Sequence, residues 1–466
     1  ILKLNSKGEV EWQKTFGGEY DDEAEWIHQT TDGGYIVAGW TYSFDSGGHD
    51  AYILKLNSKG EVQWQKTFGR ENSDDEAKSV RQTTDGGYIV AGRTGDFESG
   101  DLYILKLNSK GEAEWEKTFG GEYSDVANSI QQTTDGGYTV AGWTKSFGSG
   151  GEDLYILKLN SKGEAEWEKT FGGGDDDVAN SIQQTTNGGY IVAGWTKSFG
   201  SGEQDAFVLK LNSKGEAEWQ KTFGGKDDDE ANSIQQTKDG GYIVTGWTKS
   251  FGSGLEDVYV LKLNSKGDLE WQKTFGGKGD DEAKSIQQTK DGGYIVAGWT
   301  RSFGSGKEDI YILKLNSNGE VEWQKTFGGE NSDGANSIQQ TTDSGYIVAG
   351  WTKSFGSGGD ICLLKLDSKG WVDTTPPEVK IISPSDWVEL SGTIEINIDA
   401  TDNVELEKVT LYIDGKKVKE YSSGPYKYSW GSNKATEGTH TITVEAVDKS
   451  GNVQTKSVTL IMDKIK

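Results

Sequence analysis

The 466-residue chain has one cysteine, one methionine, three histidines and no proline before Pro376. A lone Cys362 excludes an intrachain disulfide, so the fold must rest on packing and hydrogen bonding. Such sparing use of cysteine fits a cytosolic protein. It fits equally an exported bacterial or archaeal protein that relies on its core. Without proline, nothing in the long N-terminal region interrupts a β-ladder. No apolar run is long enough to span a bilayer. No Asn-x-Ser/Thr sequon occurs, because the recurring "NSK" and "NSI" place serine one position early. The chain starts at Ile1, in mid-repeat and without methionine, as expected of a mature or truncated fragment, any signal peptide of which would lie upstream. His28, His49 and His440 make no recognisable metal set. Ser-His-Asp, Cys-His and His-Glu-x-x-His patterns are all missing, so the chain is expected not to be an enzyme.

What is abundant is glycine, 66 residues, together with 17 Trp, 19 Tyr and 15 Phe against a hydrophobic share of only 33%. Glycine-rich, aromatic-rich and finely segmented sequence is the composition of an all-β protein with many tight turns. The net charge is −26, nearly all of it in the region before Pro376. A surface of that sign repels phosphate backbones, so nucleic acid is not an expected partner, whereas cations can be attracted. One methionine, one cysteine and many charges also fit a thermophilic origin.

The dominant signal is repetition. Trp12, Trp64, Trp115, Trp167, Trp219, Trp271 and Trp323 each sit in a version of "EWQKTFGG", 51 or 52 residues apart. The string "GGYIVAGW" recurs on the same schedule around Tyr35, Tyr88, Tyr138, Tyr190, Tyr242, Tyr294 and Tyr346. A period near fifty marks a propeller or a solenoid. Within one unit, "ANSIQQTT", "YTVAGWT", "LYILKLN" and "AEWEKTFGG" read as four short strands. "DGG" and "SKGE" are tight turns, and a longer "KSFGSGGED" loop joins the second strand to the third. Antiparallel four-stranded units argue for propeller blades over a parallel β-helix.

Blade number follows from register. The third-strand motif occurs eight times and the others seven, so the last unit lacks a fourth strand while Glu9 to Gly18 supply a spare one. Closing the ring with that N-terminal strand predicts a seven-bladed β-propeller, with eight blades as the alternative. Closure removes exposed sheet edges. Ile1 to Leu4 have no slot in this scheme; they fray, or further blades lie upstream.

"YILKLNSKGEAEWEKTFGG" resembles the tryptophan-docking repeat of quinoprotein-type propellers, in which a glycine precedes a tryptophan that packs against the neighbouring blade. Here the pair is Gly111 and Trp115, repeated in every unit. The whole unit is still more similar to the "DGGYIVAG" propeller repeats of secreted and surface proteins of archaea and bacteria, over about residues 1–371. Quinone-dependent chemistry would need calcium ligands, a catalytic carboxylate and often a vicinal cysteine pair, which one cysteine cannot provide. Residues 376–466 resemble a bacterial immunoglobulin-like module, opened by Pro376 and Pro377, with a hairpin turn at Asp414 and Gly415. The expected domains are the propeller over 1–371, a linker over 372–377 and an Ig-like β-sandwich over 378–466. Such modules on exported proteins imply spacing or adhesion.

The two long loops of each unit open on one face, where binding residues are expected. Three residue sets converge there. Acidic clusters include Asp175, Asp176 and Asp177, and Asp227, Asp228 and Asp229. They serve as a solvated rim with turn caps, or as weak calcium sites. Trp40, Trp143, Trp195, Trp247, Trp299 and Trp351 end the second strands, for blade packing or for stacking on sugars. Asp50, Asp101, Asp153, Asp205, Asp257, Asp309 and Asp360 open the third strands. The first unit departs from the repeat at Trp26, His28, Tyr42, Asp45 and His49, and the second at Arg93 and "TGDFESG". These departures form one special patch, or they are drift near a terminus. The expected role is extracellular or cell-surface binding or scaffolding, on a surface glycan, a protein or further copies of the chain, with no cofactor unless calcium. A polysaccharide-active or other hydrolytic enzyme on the same face is the alternative, and it would need two placed carboxylates in one cleft.

Overall fold

A computed structural model describes residues 12–44, 48–96, 98–356, 358–366, 376–390, 392–402, 406–431, 436–448 and 453–462. The chain divides into two compact units, one covering the repeats and one the C-terminal module. Ile1 to Leu4, which have no slot in the expected ring, and most of the expected linker fall outside the described residues.

One repeat shows how its residues make a sheet. Asp125–Gln132, Tyr138–Thr144, Asp153–Leu159 and Ala165–Phe171 form an antiparallel sheet in sequence order. The third strand is buried along its whole length, as its unbroken apolar run demands, while the fourth is largely exposed. The first turn is closed by the Asp135 carboxylate, which accepts from the Thr133 hydroxyl (2.5 Å) and the Gly137 amide (2.9 Å). Gly136 takes φ 84° there, a conformation that costs glycine little. In the second turn the Asn160 amide oxygen accepts from the backbone of Lys162 (2.8 Å) and Glu164 (3.1 Å).

Among the described residues the repeats make seven such sheets. In one of them Asp333–Gln340, Tyr346–Thr352 and Asp360–Leu366 are joined by the N-terminal strand Trp12–Phe16. That sheet lies against the first: the Ile27 amide donates to Ser337 Oγ (3.3 Å), and Asn336 Nδ2 to Glu23 Oε1 (2.8 Å). The inner strands repeat this linkage, for instance Ile182 N to Ser129 Oγ and Ile234 N to Ser181 Oγ, both 3.3 Å.

The cores lie between sheets. Ile89, Ala91, Leu102 and Ile104 of the second sheet pack with Ile130, Val140, Leu157 and Leu159 of the third, all essentially inaccessible. Burial of each of the Ile, Leu and Val side chains contributes about 1.5–3 kcal/mol. The docking tryptophans extend these contacts, with one change in pairing. Gly111 faces Trp64 of the preceding sheet, and Trp115 reaches forward to Gly163, where a Cβ would lie 2.7 Å from the indole. Trp115 also meets Tyr138 edge-on, centroids 5.9 Å apart. The Gly–Trp pair of one motif is therefore shared between neighbours.

In the sheets of Lys106, Lys158, Lys262 and Lys314 a buried lysine ties the first short turn to the fourth strand. Lys158 Nζ donates to the Leu159 carbonyl (3.1 Å) and sits 2.9 Å from both Asp135 and Glu166.

The C-terminal unit is a two-sheet sandwich. Glu378–Ser383, Thr393–Thr401 and Tyr426–Gly431 form one sheet. Val388–Leu390, Leu406–Ile413, Lys416–Tyr421, Gly438–Asp448 and Val453–Met462 form the other. Ile396, Val409, Leu411, Ile442, Val444 and Leu460 fill the space between. The hairpin turn falls at Asp414 (φ 51°) and Gly415 (φ 74°), as read from "IDGKK".

Candidate functional site

The long-loop face is held by aspartates. Asp177, buried at the start of an inner strand, accepts from the Thr196 hydroxyl, from Ser198 Oγ (2.7 Å) and from the Gly173 amide (2.8 Å). Asp229 repeats this with Thr248, Ser250 (2.7 Å) and Gly225 (2.8 Å). Asp176 and Asp228 instead pair with Lys197 (3.0 Å) and Lys249 (3.1 Å). Asp175 and Asp227 bond through their backbone amides to the same serines, Ser198 and Ser250, at 3.1 Å. In each triplet the second and third carboxylates thus go to different partners. Among the described residues no group of three or more His, Cys, Asp or Glu is placed to hold a metal ion. Of these six residues, Asp177 and Asp229 cap turns and Asp176 and Asp228 pair with lysines, while Asp175 and Asp227 are held through their backbone amides. The acids opening the third strands also cap loops: Asp153 accepts from the amides of Ser149 (2.9 Å) and Gly150 (3.1 Å).

Trp40, Trp143, Trp195, Trp247, Trp299 and Trp351 stand half-buried on this face. A cation covers several of them: Lys145 over Trp143 and Lys197 over Trp195, both at 5.4 Å, and Arg301 over Trp299 at 5.4 Å. More accessible is a set that sequence reasoning passed over, the phenylalanine of each "SFGSG" loop. Phe147 is 44% exposed, Phe199 and Phe251 are 37%, and Phe303 is 36%. Each leans on an aromatic of the following strand, as Phe147 does on Tyr155 at 5.8 Å. A large apolar residue alone among Ser and Gly was the available signal.

The departures of the first two units come together. Trp40, Tyr42 and His49 cluster with centroids 5.0–5.6 Å apart. His49 Nε2 lies 3.1 Å from Glu76 of the next sheet, which also meets Arg93 at 3.1 Å and Lys78 at 3.0 Å. Burial alone would raise the Glu76 pKa, but His49, Lys78 and Arg93 outweigh it and hold it well below the usual carboxylate range. Deeper on the axis, the Arg81 guanidinium sits 4.4 Å from the Trp26 ring centre and 3.4 Å from His28 Nδ1. Burial lowers Arg81 to about 10, and burial plus Arg81 lowers His28 to about 3, so at neutral pH the first is charged and the second is not. Asp45 lies outside the described residues.

Two carboxylates near the axis titrate unusually. Burial first, then Glu25, raises Glu23 to about 7, and burial raises Glu230 to about 7 although Lys284 opposes it. Cys362 is buried, and burial pushes its thiol up to about 12, which leaves it unreactive at neutral pH.

A repeat of four-stranded sheets followed by a sandwich defines the class: a β-propeller repeat protein with a C-terminal Ig-like module. Family comparison agrees, since residues 289–322 match the model "Domain of unknown function (DUF5122) beta-propeller" and residues 377–444 match "Bacterial Ig domain". The regulatory protein FlaEY of Caulobacter vibrioides is 25% identical over 255 residues, 47% of this chain and 25% of that protein. Among solved structures, the extracellular domain of a one-component system from B. thetaiotaomicron has a TM-score of 0.50 at 11% identity, covering 95% of this chain and 56% of that one. Fibronectin(III)-like modules of Clostridium thermocellum CbhA align at 25% identity with 19% of this chain and all of theirs, with a TM-score of 0.17. The chain thus spans a quarter and about half of the lengths of the first two. No helix of the described residues is long and apolar enough to cross a membrane.

Proposed function

We propose that the chain is an extracellular or cell-surface binding scaffold: a closed propeller of seven blades, with the Ig-like module as spacer or anchor. The extracellular placement draws support from the structural neighbour, itself an extracellular domain, and from the bacterial Ig match. The ligand is a surface glycan or a protein, engaged on the long-loop face. The observation that carries this is the recurring pair of a half-buried Trp and an exposed Phe, as in Trp195 and Phe199. Aromatic faces with nearby Lys, Asp and Ser suit sugar rings, which stack on apolar surface and hydrogen-bond at their edges. Each contact is weak, and several engaged at once raise the apparent affinity. The role is binding without turnover, and a face that works without calcium is supported by the use of Asp177 in turn capping and of Asp176 in an ion pair.

The test is a glycan array probed with the full chain and with a Phe147→Ser, Phe199→Ser, Phe251→Ser variant of unchanged melting temperature. Loss of signal in the variant supports the reading. Equal signal, or ordered self-assembly with no glycan signal from either, overturns glycan recognition on this face.

A further inference from the structure

The inner strands leave a cavity of about 350 Å³ on the axis of the repeat unit, and no carboxylate of the described residues lines it. One level of that wall carries His28, Arg81 and five glutamines in equivalent positions. The glutamine amides are oriented. The side-chain oxygen of Gln131 accepts from Gln184 N (2.8 Å), and those of Gln183, Gln235, Gln287 and Gln339 accept from the backbone of the following sheet at 2.6 Å. An amide whose oxygen is held this way presents its NH₂ on the other side. Arg81 makes no ion pair among the described residues, and its Nε is buried without a hydrogen-bond partner, as is Trp26 Nε1. His28 Nδ1 faces a guanidinium donor, so the ring proton belongs on Nε2. Guanidinium, indole, imidazole and amide groups therefore all offer hydrogen to one space that contains no anionic acceptor.

A donor ring with one cation and no counter-charge leaves a cation partly desolvated and uncompensated, which is costly. We infer that this cavity binds a small oxyanion, free in solution or as the carboxylate of a sugar acid, with Arg81 as its charge partner. The first-unit departures acquire a purpose here. Where most other repeats have Ser and Gln, Trp26 supplies the face that Arg81 lies on and His28 accepts from it. The cavity volume and the net charge of −26 favour a small ion over a polyanion. At physiological salt the distant acids are screened beyond about 8 Å. This site lies on the axis and stands independently of the long-loop reading.

Isothermal titration of the full chain with sulfate, phosphate and glucuronate, at ionic strength fixed with sodium chloride, tests it. Saturable binding is expected, weakened at least about tenfold in Arg81→Gln, the loss of one charge-assisted contact. That variant carries the residue of five other sheets, so its fold is expected to survive. Gln235→Glu keeps the acceptor for Gln288 N but puts a carboxylate oxygen in the cavity, and it is expected to abolish binding. Binding of glucuronate alone assigns a sugar acid, and binding of sulfate or phosphate assigns a free ion. No saturable binding of any of the three, or wild-type affinity in Arg81→Gln, overturns the inference.

Discussion

Gly163→Ala and Gly136→Ala separate backbone strain from tryptophan docking. Both glycines belong to turns of the same sheet and hold nearly the same left-handed conformation, φ 76° and 84°. An alanine in that region costs about 1–2 kcal/mol at either site. The entropy that alanine removes from the unfolded chain is also common to both. Their surroundings differ. A Cβ at residue 136 meets nothing within 4 Å, whereas at residue 163 it lies 2.7 Å from Trp115 Cζ3 and 2.8 Å from Cη2. Neither the indole nor the turn backbone is the far end of a flexible side chain, so the inter-sheet contact must open. Overpacking of this kind costs about 1–3 kcal/mol more. Denaturant unfolding followed by tryptophan fluorescence should rank wild type above Gly136→Ala and Gly136→Ala above Gly163→Ala, with that additional gap between the variants. Equal destabilisation would refute the claim that the indole–glycine contact locks adjacent sheets.

Glu230→Val, which installs the residue found at Val126 and Val178, should be more favourable to stability at pH 8 than below pH 4.5, on top of the pH-independent loss of the Asn180 and Gln204 hydrogen bonds. The sign follows from a folded pKa of about 7 above an unfolded value of 4.5: native stability falls as pH rises between them, by at most about 3 kcal/mol. Thermal melts against pH check it, and a pH-independent difference contradicts it. Asn187 replaces the turn aspartate in one sheet, so Lys210 keeps Glu218 (3.1 Å) and the Leu211 carbonyl but lacks the partner that Lys158 has in Asp135. Asn187→Asp should therefore stabilise by up to about 1 kcal/mol, the gain of a half-exposed ion pair; a loss of stability in denaturant titration would count against it. A chelator should leave the melting temperature unchanged, and a fall would favour the calcium reading of Asp175–Asp177 and Asp227–Asp229.

The turns and strands were legible because their chemistry is local. "TDGG" closes on its own aspartate, and "NSKGE" on its own asparagine. Partnership between sheets was less so. Gly111 and Trp115 stand four residues apart, yet each contacts a neighbour in a different sheet, which no single repeat records. The acids looked like ligands because an aspartate that caps a turn and one that binds a cation are the same residue until the donors around it are placed. The Trp26–Arg81 contact joins two repeats 55 positions apart, so each departure taken singly resembled drift.

The central claim is that the irregular residues of the first two sheets are one co-adapted unit. A double-mutant cycle on Trp26→Ser and Arg81→Gln, each a reversion to the repeat, tests this through unfolding free energies. Stacking of a desolvated guanidinium on indole predicts coupling of about 1–2 kcal/mol, with the double variant more stable than the sum of the single losses implies. Additive losses would contradict it.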